Sequence, residues 1–363
     1  MSDISLRQRI GLDIFNGLVR AQAKRHELRQ LFWECTQRCN MNCRHCGSDC
    51  KLSSDYKDMP FDDFEKVLLR LRESYDPGDI LVIISGGEPL MRKDIVSIGR
   101  RITELGYPWG MVSNGRLMSD KMIDNLLDAG MRCVSISLDG LEEEHNWMRG
   151  NSESFRFAIH AIEVLAKCPV SFDVVTCVNQ RNFGQLERIS EFLTGLGVKR
   201  WRLLTVFPVG RAACDPELQL THSQKRSLMD FIVDTRKEGR IVASFGCEGF
   251  LGKYEGKVRD HFFTCQAGIS VASVRVDGAI SACTSIRANY DQGNIYRDDF
   301  VDVWENRFGN MRNRDWARTG DCAGCRWWKW CHGNGLHLRD DDGRLLQCTM
   351  KEINHFKTGS NIE

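Results

Sequence analysis

The sequence predicts an α/β domain built on a parallel sheet, followed by a smaller cysteine-rich domain. From residue 31 to about 240, short β-rich runs alternate with amphipathic helical stretches, the pattern of parallel strands joined by crossover helices. Past 240 glycine and cysteine become frequent, strands shorten, and a Trp-rich segment follows. The 363 residues exceed one average domain, which leaves room for one large and one small unit.

In chain order, residues 1–30 read as a helical extension, because Leu12, Phe15 and Val19 share a face among polar neighbours. Strands are expected at Leu31–Cys35, Ile80–Ile84, Trp109–Ser113, Cys133–Leu138, Phe172–Val178 and Trp201–Phe207. The first connecting helix shows Phe61, Phe64, Leu68 and Leu71 at helical period, with Pro60 suited to its first turn. Further helical stretches run over 92–105, 119–129, 154–167, 183–196 and 222–238. Six such units fit a barrel or an open doubly wound sheet equally well. Beyond 240, short strands are expected at Val271–Val276 and Ala279–Ala282, in a domain that needs metal to supplement a thin core. The division is therefore 1–30, 31–240 and 241–357.

Composition is that of an ordinary soluble globular protein, with 42% apolar and 27% charged residues. A formal net charge of +1 and the lack of a long basic run disfavour a nucleic-acid partner. The N-terminus has no signal-peptide core and no stretch approaches a membrane span, which predicts a cytoplasmic protein. Sixteen cysteines in such a chain point to metal ligation rather than disulfides. Five lie between Cys35 and Cys50, and four more are Cys322, Cys325, Cys331 and Cys348.

Cys39, Cys43 and Cys46 follow the first strand with spacing C-x3-C-x2-C. Three thiols of one loop can hold a 4Fe–4S cluster by three irons and leave the fourth open, as a catalytic metal site requires. Zinc, with Cys35 or Cys50 as fourth ligand, is the alternative on thiol count. Gly86-Gly87-Glu88-Pro89 follows the second strand. The pair of motifs resembles the radical S-adenosylmethionine (radical SAM) enzymes, and the resemblance resolves both choices. It implies a partial (β/α)6 TIM-like barrel with its chemistry at the C-terminal strand ends. It also implies that Cys39, Cys43 and Cys46 ligate the cluster, while Cys35 and Cys50 flank it.

The same resemblance supplies cofactor-binding expectations. His45 lies near the adenine. Ser85, Gly86, Gly87, Glu88 and Pro89 form the turn beside the cofactor's ammonium group, where glycines permit close backbone approach and Glu88 or neighbouring carbonyls accept. Asn114 closes the third strand, and Ser137 and Asp139 the fourth, with oxygens for the ribose and methionine moieties. Arg149 suits the cofactor carboxylate as a bidentate donor. As ordinary residues, Ser, Asn, Asp and Gly here would be turn formers. The implied chemistry is reductive cleavage of SAM to a 5′-deoxyadenosyl radical that takes a hydrogen atom from substrate. The protein contributes orientation and protection.

Cys265-x12-Gly278-x4-Cys283, then Cys322-x2-Cys325-x5-Cys331, then Cys348 closely resembles the SPASM domain, which holds auxiliary 4Fe–4S clusters in peptide- and protein-modifying radical SAM enzymes. Gln292–Ile295 and Val303-Trp304 fit the segment between its halves. The likeness implies one auxiliary cluster on Cys322, Cys325, Cys331 and Cys348. The pattern continues with a cysteine where Gly335 stands. A second auxiliary cluster would thus rest on Cys265 and Cys283, with Cys247 as a third thiol and an open iron or a non-cysteine ligand. Buried reduced cysteines are the alternative for these three.

The run Gly246–Glu255 and the segment Cys331–Leu338 resemble a branch associated with a small lipoprotein as substrate or partner. The implied function is modification of a peptide or protein by crosslinking, epimerisation or oxidation, with a flavodoxin or ferredoxin as electron donor. Epimerisation needs a thiol hydrogen donor, for which Cys177 and Cys214 are the candidates. A radical SAM enzyme acting on a small molecule such as a tetrapyrrole side chain is the alternative. A non-catalytic iron–sulfur or zinc module is the reading from another class, and it predicts no 5′-deoxyadenosine release.

Overall fold

The computed structural model describes residues 4–354. Positions 1–3 of the N-terminal extension and 355–357 of the second domain lie outside the described residues. One ten-stranded sheet organises the chain, in the order β10-β9-β8-β1-β2-β3-β4-β5-β6-β7. Its strands are β1 (Gln30–Thr36), β2 (Leu81–Gly86), β3 (Trp109–Ser113), β4 (Met131–Ser137), β5 (Ser171–Val178), β6 (Arg200–Thr205), β7 (Val242–Phe245), β8 (Val271–Val274), β9 (Ala279–Ser281) and β10 (Gly293–Asn294). From β1 to β7 all neighbours are parallel, as expected for strands returned by helical crossovers.

Those crossovers place α2 (Phe61–Arg72), α3 (Ile95–Glu104), α4 (Asp120–Asp128), α5 (Glu142–Arg149), α6 (Ser154–Leu165), α7 (Leu186–Gly195) and α8 (His222–Glu238) along the chain, after the N-terminal α1 (Leu6–Arg25). Strand alternation sorts the side chains into two faces. Leu31, Trp33 and Cys35 of β1 are fully buried beneath the helices, and Trp33 stacks on Phe64 of α2 with centroids 4.6 Å apart. Trp109 and Trp201 are buried likewise, their indole N–H groups donating to Thr103 at 3.0 Å and Thr176 at 2.8 Å. Gly99 of α3 permits this packing: a Cβ there would fall 2.3 Å from the Trp109 ring. The opposite face lines a lumen, with Gln30, Phe32, Ile83, Ser135, Asp173 and Arg202 around a cavity of ≈ 340 Å³.

Two features depart from the expected layout. β7 lies beyond the change of texture at 240 and still extends the parallel sheet beside β6. It is only four residues long, Val-Ala-Ser-Phe, too short to announce itself by alternation. The segment past 260 is also no detached layer: β8 pairs parallel with β1, from Gln30 opposite Val271 to Trp33 opposite Val274, and the β8–β9 hairpin continues the sheet. Both cysteine-bearing halves thus share one β scaffold. α1 packs on the C-terminal half, with Leu12 buried beside Phe250, Phe263 and Met350. Asp13 accepts from the Trp330 indole at 2.8 Å. Leu6, Ile10, Ile14 and Leu18 of α1 face solvent.

Candidate functional site

The loop after β1 packs Cys39, Cys43, Cys46, Cys50 and Met41 into one small cluster. Burial pushes the Cys39 thiol up to about 12. The Cys43 thiol is raised by burial as well, with Arg149 opposing the rise. Cys46 is held low, first by a hydrogen bond from the Cys50 thiol, and Cys50 is raised as the donor of that pair. Cys35 points to the helix layer, where burial raises its thiol strongly. The structure therefore separates Cys35 from the group and leaves Cys50 inside it. Arg211, which the sequence reading did not single out, staples this loop to the segment after β6. Its Nε donates to the Cys43 carbonyl at 2.7 Å, and its Nη1 donates to the Cys50 carbonyl at 3.1 Å and to Asp49 at 2.8 Å.

The Gly-Gly-Glu-Pro turn meets this loop through its backbone. Gly87 N donates to the Thr36 carbonyl at 2.8 Å and Glu88 N to the Arg38 carbonyl at 2.9 Å. A Cβ on Gly86 would fall 2.1 Å from Thr36 O, and one on Gly87 would fall 2.3 Å from Arg38 O. The glycines are thus required for contact between two loops; the expectation from sequence was close approach to a ligand. Glu88 is buried and spends both oxygens on protein: Oε1 accepts from Ser113 Oγ and Leu90 N, and Oε2 from Asn114 N. Burial raises its carboxyl to about 7. Its carboxylate is a brace between two strand ends, which leaves the neighbouring carbonyls as the acceptors available to a ligand. Ser85 is occupied as well, donating to the Trp33 carbonyl at 3.3 Å, and Pro89 opens a single 3₁₀ turn.

Since Arg38 O is backbone, it cannot move aside alone. Gly87→Ala is expected to cost about 1–3 kcal/mol in unfolding free energy and to speed iron loss to a chelator. Gly184→Ala, where a Cβ meets nothing within 4 Å, is the control. Equal behaviour of the two variants would show that the contact is unimportant.

Around these loops lies a cavity of ≈ 140 Å³, lined by the thiols of Cys39, Cys43 and Cys46 together with His45, Ser137, Asn114 and Arg149. Asn114 donates to Asn40 Oδ1 at 2.9 Å. Asp139 is wholly buried. Its Oδ2 lies 2.7 Å from Arg149 Nη2 and 3.9 Å from His45 Nε2, and its Oδ1 accepts from Cys177 N at 2.8 Å. Burial works to raise this carboxyl, but Arg149, His45 and His145 outweigh it and hold it below the usual range. Burial keeps the His45 ring neutral, with its pKa near about 4. Arg149, expected as a donor to a ligand, is thus already paired with Asp139 and approaches Cys43 Sγ at 3.7 Å. Three buried polar atoms here have neither a hydrogen-bond nor an ion-pair partner in the protein: His45 Nδ1, Arg149 Nε and Asn40 Nδ2. Such orphans call for a polar ligand.

His145 and Asn182, neither assigned from sequence, hold the Asp139 turn. His145 Nδ1 accepts from Asp139 N at 2.9 Å, and Asn182 Nδ2 donates to Asp139 O at 2.7 Å. The signal for His145 was available: it lies four residues before Arg149, on the same face of α5. Cys177, at the end of β5, brings its sulfur within 4.8 Å of ligand atoms of His45 and Asp139, and burial raises its thiol well above the ordinary value. Cys214 is exposed in the segment after β6.

In the C-terminal half, Cys322, Cys325, Cys331 and Cys348 come together. Burial raises Cys348 to about 11, with Cys322 and Cys325 as electrostatic neighbours. It raises Cys331 to about 12, with Cys348 and Cys322 beside it. Arg339 Nη2 donates to Cys322 Sγ at 3.4 Å. A second group joins Cys247, Cys265 and Cys283, which lie within electrostatic reach of one another, with Cys247 the solvent-exposed member. Glu248 moors this group, accepting from Thr205 N at 2.6 Å at the end of β6. Burial raises its carboxyl to about 8.

Comparison with known proteins identifies two domains in the chain. The Radical SAM superfamily profile matches residues 33–193, and the SPASM iron–sulfur cluster-binding domain matches 265–326. An AdoMet-dependent heme synthase of Methanosarcina barkeri is 27% identical over 84% of this chain and 90% of its own. A PqqA peptide cyclase of Bradyrhizobium diazoefficiens is 25% identical over 80% of this chain and 83% of its own. In fold, the chain is similar to Streptococcus suis SuiB bound to S-adenosylmethionine, with a TM-score of 0.70 at 17% identity over 91% of this chain and 80% of that one. Among the described residues no helix is long and apolar enough to cross a membrane. The chain is a radical SAM enzyme with a SPASM domain, a family whose cofactors are SAM, a 4Fe–4S cluster and an auxiliary iron–sulfur cluster.

Proposed function

We propose that this enzyme modifies a peptide or small protein, such as a lipoprotein, through hydrogen-atom abstraction in the barrel lumen. Cys39, Cys43 and Cys46 ligate the SAM-binding cluster. With SAM bound, that cluster supplies one-electron cleavage of the sulfonium and a carbon radical able to take a hydrogen atom. The protein residues orient the cofactor. The unpartnered Arg149 Nε faces its carboxylate, the carbonyls around Gly86 and Gly87 its ammonium group, Ser137 and Asp139 the ribose and methionine portions, and the neutral His45 ring its adenine. Asn114 and Glu88 brace this shell. Cys322, Cys325, Cys331 and Cys348 hold one auxiliary cluster, and Cys247, Cys265 and Cys283 contribute to another. Cys177, beneath Asp139, is placed to return a hydrogen atom, whereas Cys214 is exposed. A flavodoxin or ferredoxin provides electrons.

The observation that carries the peptide reading is the lining of the lumen. Successive strands present Glu34, Ser85, Ser135, Asp173, Arg202 and Ser273 on the inward face. Arg202 bridges Asp173 at 2.8 Å and Ser135 at 3.0 Å, and Glu34 pairs with Arg287 at 3.1 Å. These polar groups stand among Phe32, Ile83 and Val112, and such a mixed wall suits an extended peptide, whose backbone supplies donors and acceptors and whose side chains supply apolar contact. A tetrapyrrole needs a broad apolar slot for its ring plane together with cations for its carboxylates.

The similarity to an AdoMet-dependent heme synthase favours a second reading, in which a tetrapyrrole carboxyl side chain is the substrate. The two separate in one anaerobic assay with dithionite and SAM, offering peptides encoded beside the gene and iron coproporphyrin in parallel. Loss of two hydrogens, or deuterium uptake from solvent, in a peptide supports the first reading. Loss of carbon dioxide from the porphyrin, with every peptide untouched, overturns it.

A further inference from the structure

We propose that the His337 imidazole is the fourth ligand of the cluster whose thiols are Cys247, Cys265 and Cys283. This inference rests on the reading above that those three thiols hold a cluster. Gly335 stands four positions past Cys331, where the domain pattern has a cysteine, so the set lacks one sulfur. The space is not empty. A Cβ on Gly335 would fall 2.6 Å from His337 Cε1 and 2.9 Å from His337 Nδ1. The ring therefore fills the room that a side chain at 335 would need, and the glycine makes that placement possible.

Two of the three cysteines meet this segment directly, and the third lies beside them. The Leu336 N–H, between Gly335 and His337, donates to the Cys265 sulfur. The Cys247 carbonyl lies 3.3 Å from the virtual Cβ of Gly335. Cys283 and Cys265 both act on the Cys247 thiol. Arg314 binds the two loops together, donating to the Cys265 carbonyl at 3.0 Å and the Asn334 carbonyl at 3.1 Å.

His337 is only 5% exposed, and its Nε2 is buried without a hydrogen-bond partner. Phe207 packs on the ring with centroids 4.4 Å apart, which fixes its plane and excludes water from that side. An unsatisfied buried nitrogen is unfavourable unless something binds it. Imidazole is an established iron ligand in iron–sulfur centres, where replacing thiolate by neutral nitrogen raises the potential.

The test uses the full-length, anaerobically reconstituted and reduced protein without SAM, its histidines labelled with 15N in the ring. Pulsed EPR is expected to show a directly bound histidine nitrogen. That coupling should persist when Cys39, Cys43 and Cys46 are all replaced by alanine, and vanish in His337→Gln. His337→Cys is expected to keep its iron, lose the coupling and show a lower midpoint potential. Absence of histidine coupling in the parent protein, a measurement that needs no variant, overturns the proposal. So does a coupling that survives in His337→Gln. The triple variant Cys247→Ser, Cys265→Ser, Cys283→Ser separates the two levels. If it retains all its iron, the three-thiol cluster does not exist and both readings fall. If it loses about four irons while the parent shows no histidine coupling, only the role of His337 fails.

Discussion

Replacing Cys39 by alanine is expected to abolish dithionite-dependent release of 5′-deoxyadenosine and to lower bound iron by about four per chain. Two thiols and an open edge do not hold a cubane that must also keep one iron free for the cofactor. The structure complicates the experiment usefully, because Cys50 sits within the same buried group and shares a hydrogen with Cys46. A displaced cluster can recruit it. The informative series is therefore Cys39→Ala, Cys50→Ala and the double variant. Residual iron in the first that disappears in the double identifies Cys50 as a substitute ligand. Cys50→Ala alone is expected to retain release, because the three-thiol set stays intact. Cys35→Ala, in the helix layer, should also retain it. Undiminished release in the double variant would remove Cys39 from the site.

Why that series needs Cys50 shows where sequence reading stops. The alternation of β-rich and helical runs sufficed for the parallel sheet because each strand buries one face under helices, as Trp33, Trp109 and Trp201 do. That periodicity is local, so it is written in neighbouring residues. Thiol spacing was legible for the same reason. Which way a side chain turns depends on partners far along the chain. Arg211 reaches Cys43 across 168 positions, and Thr349 donates to the Glu248 carbonyl across 101. Glu88 could be recognised as part of a motif, yet its use as a brace for Ser113 and Asn114 followed only from the fold. β7 was missed because a four-residue strand carries almost no pattern. Gly335 was readable as a missing sulfur, but the ring that fills its place belongs to a residue two positions on and became visible only with the backbone bend between them.

The second large effect is expected at the Asp139–Arg149 pair. Asp139 is fully buried and Arg149 nearly so, with Nη2 and Oδ2 2.7 Å apart. Removing one member strands the other charge in the interior, a loss of about 3–5 kcal/mol. Arg149→Met should therefore lower unfolding free energy by that order, as read by urea denaturation under anaerobic conditions. Asp139→Asn should cost a similar amount, because it strands the Arg149 guanidinium, which cannot shed its charge, even though the amide oxygen can still accept from Cys177 N, the bond that Oδ1 now takes. The double variant removes both charges and should recover much of the stability lost in Arg149→Met, because the desolvation cost disappears with the pair. Cofactor binding should not recover with it. Arg149 Nε has no protein partner, so a SAM carboxylate gains a donor there that methionine cannot replace. The double variant should then be stable, bind its iron, and show weakened SAM affinity by calorimetry. Recovery of affinity along with stability would mean that the pair only shapes the loop and that Arg149 does not touch the cofactor. A cost below about 1 kcal/mol for Arg149→Met, the range of an exposed ion pair, would mean that water reaches the site and that its electrostatics are those of a surface.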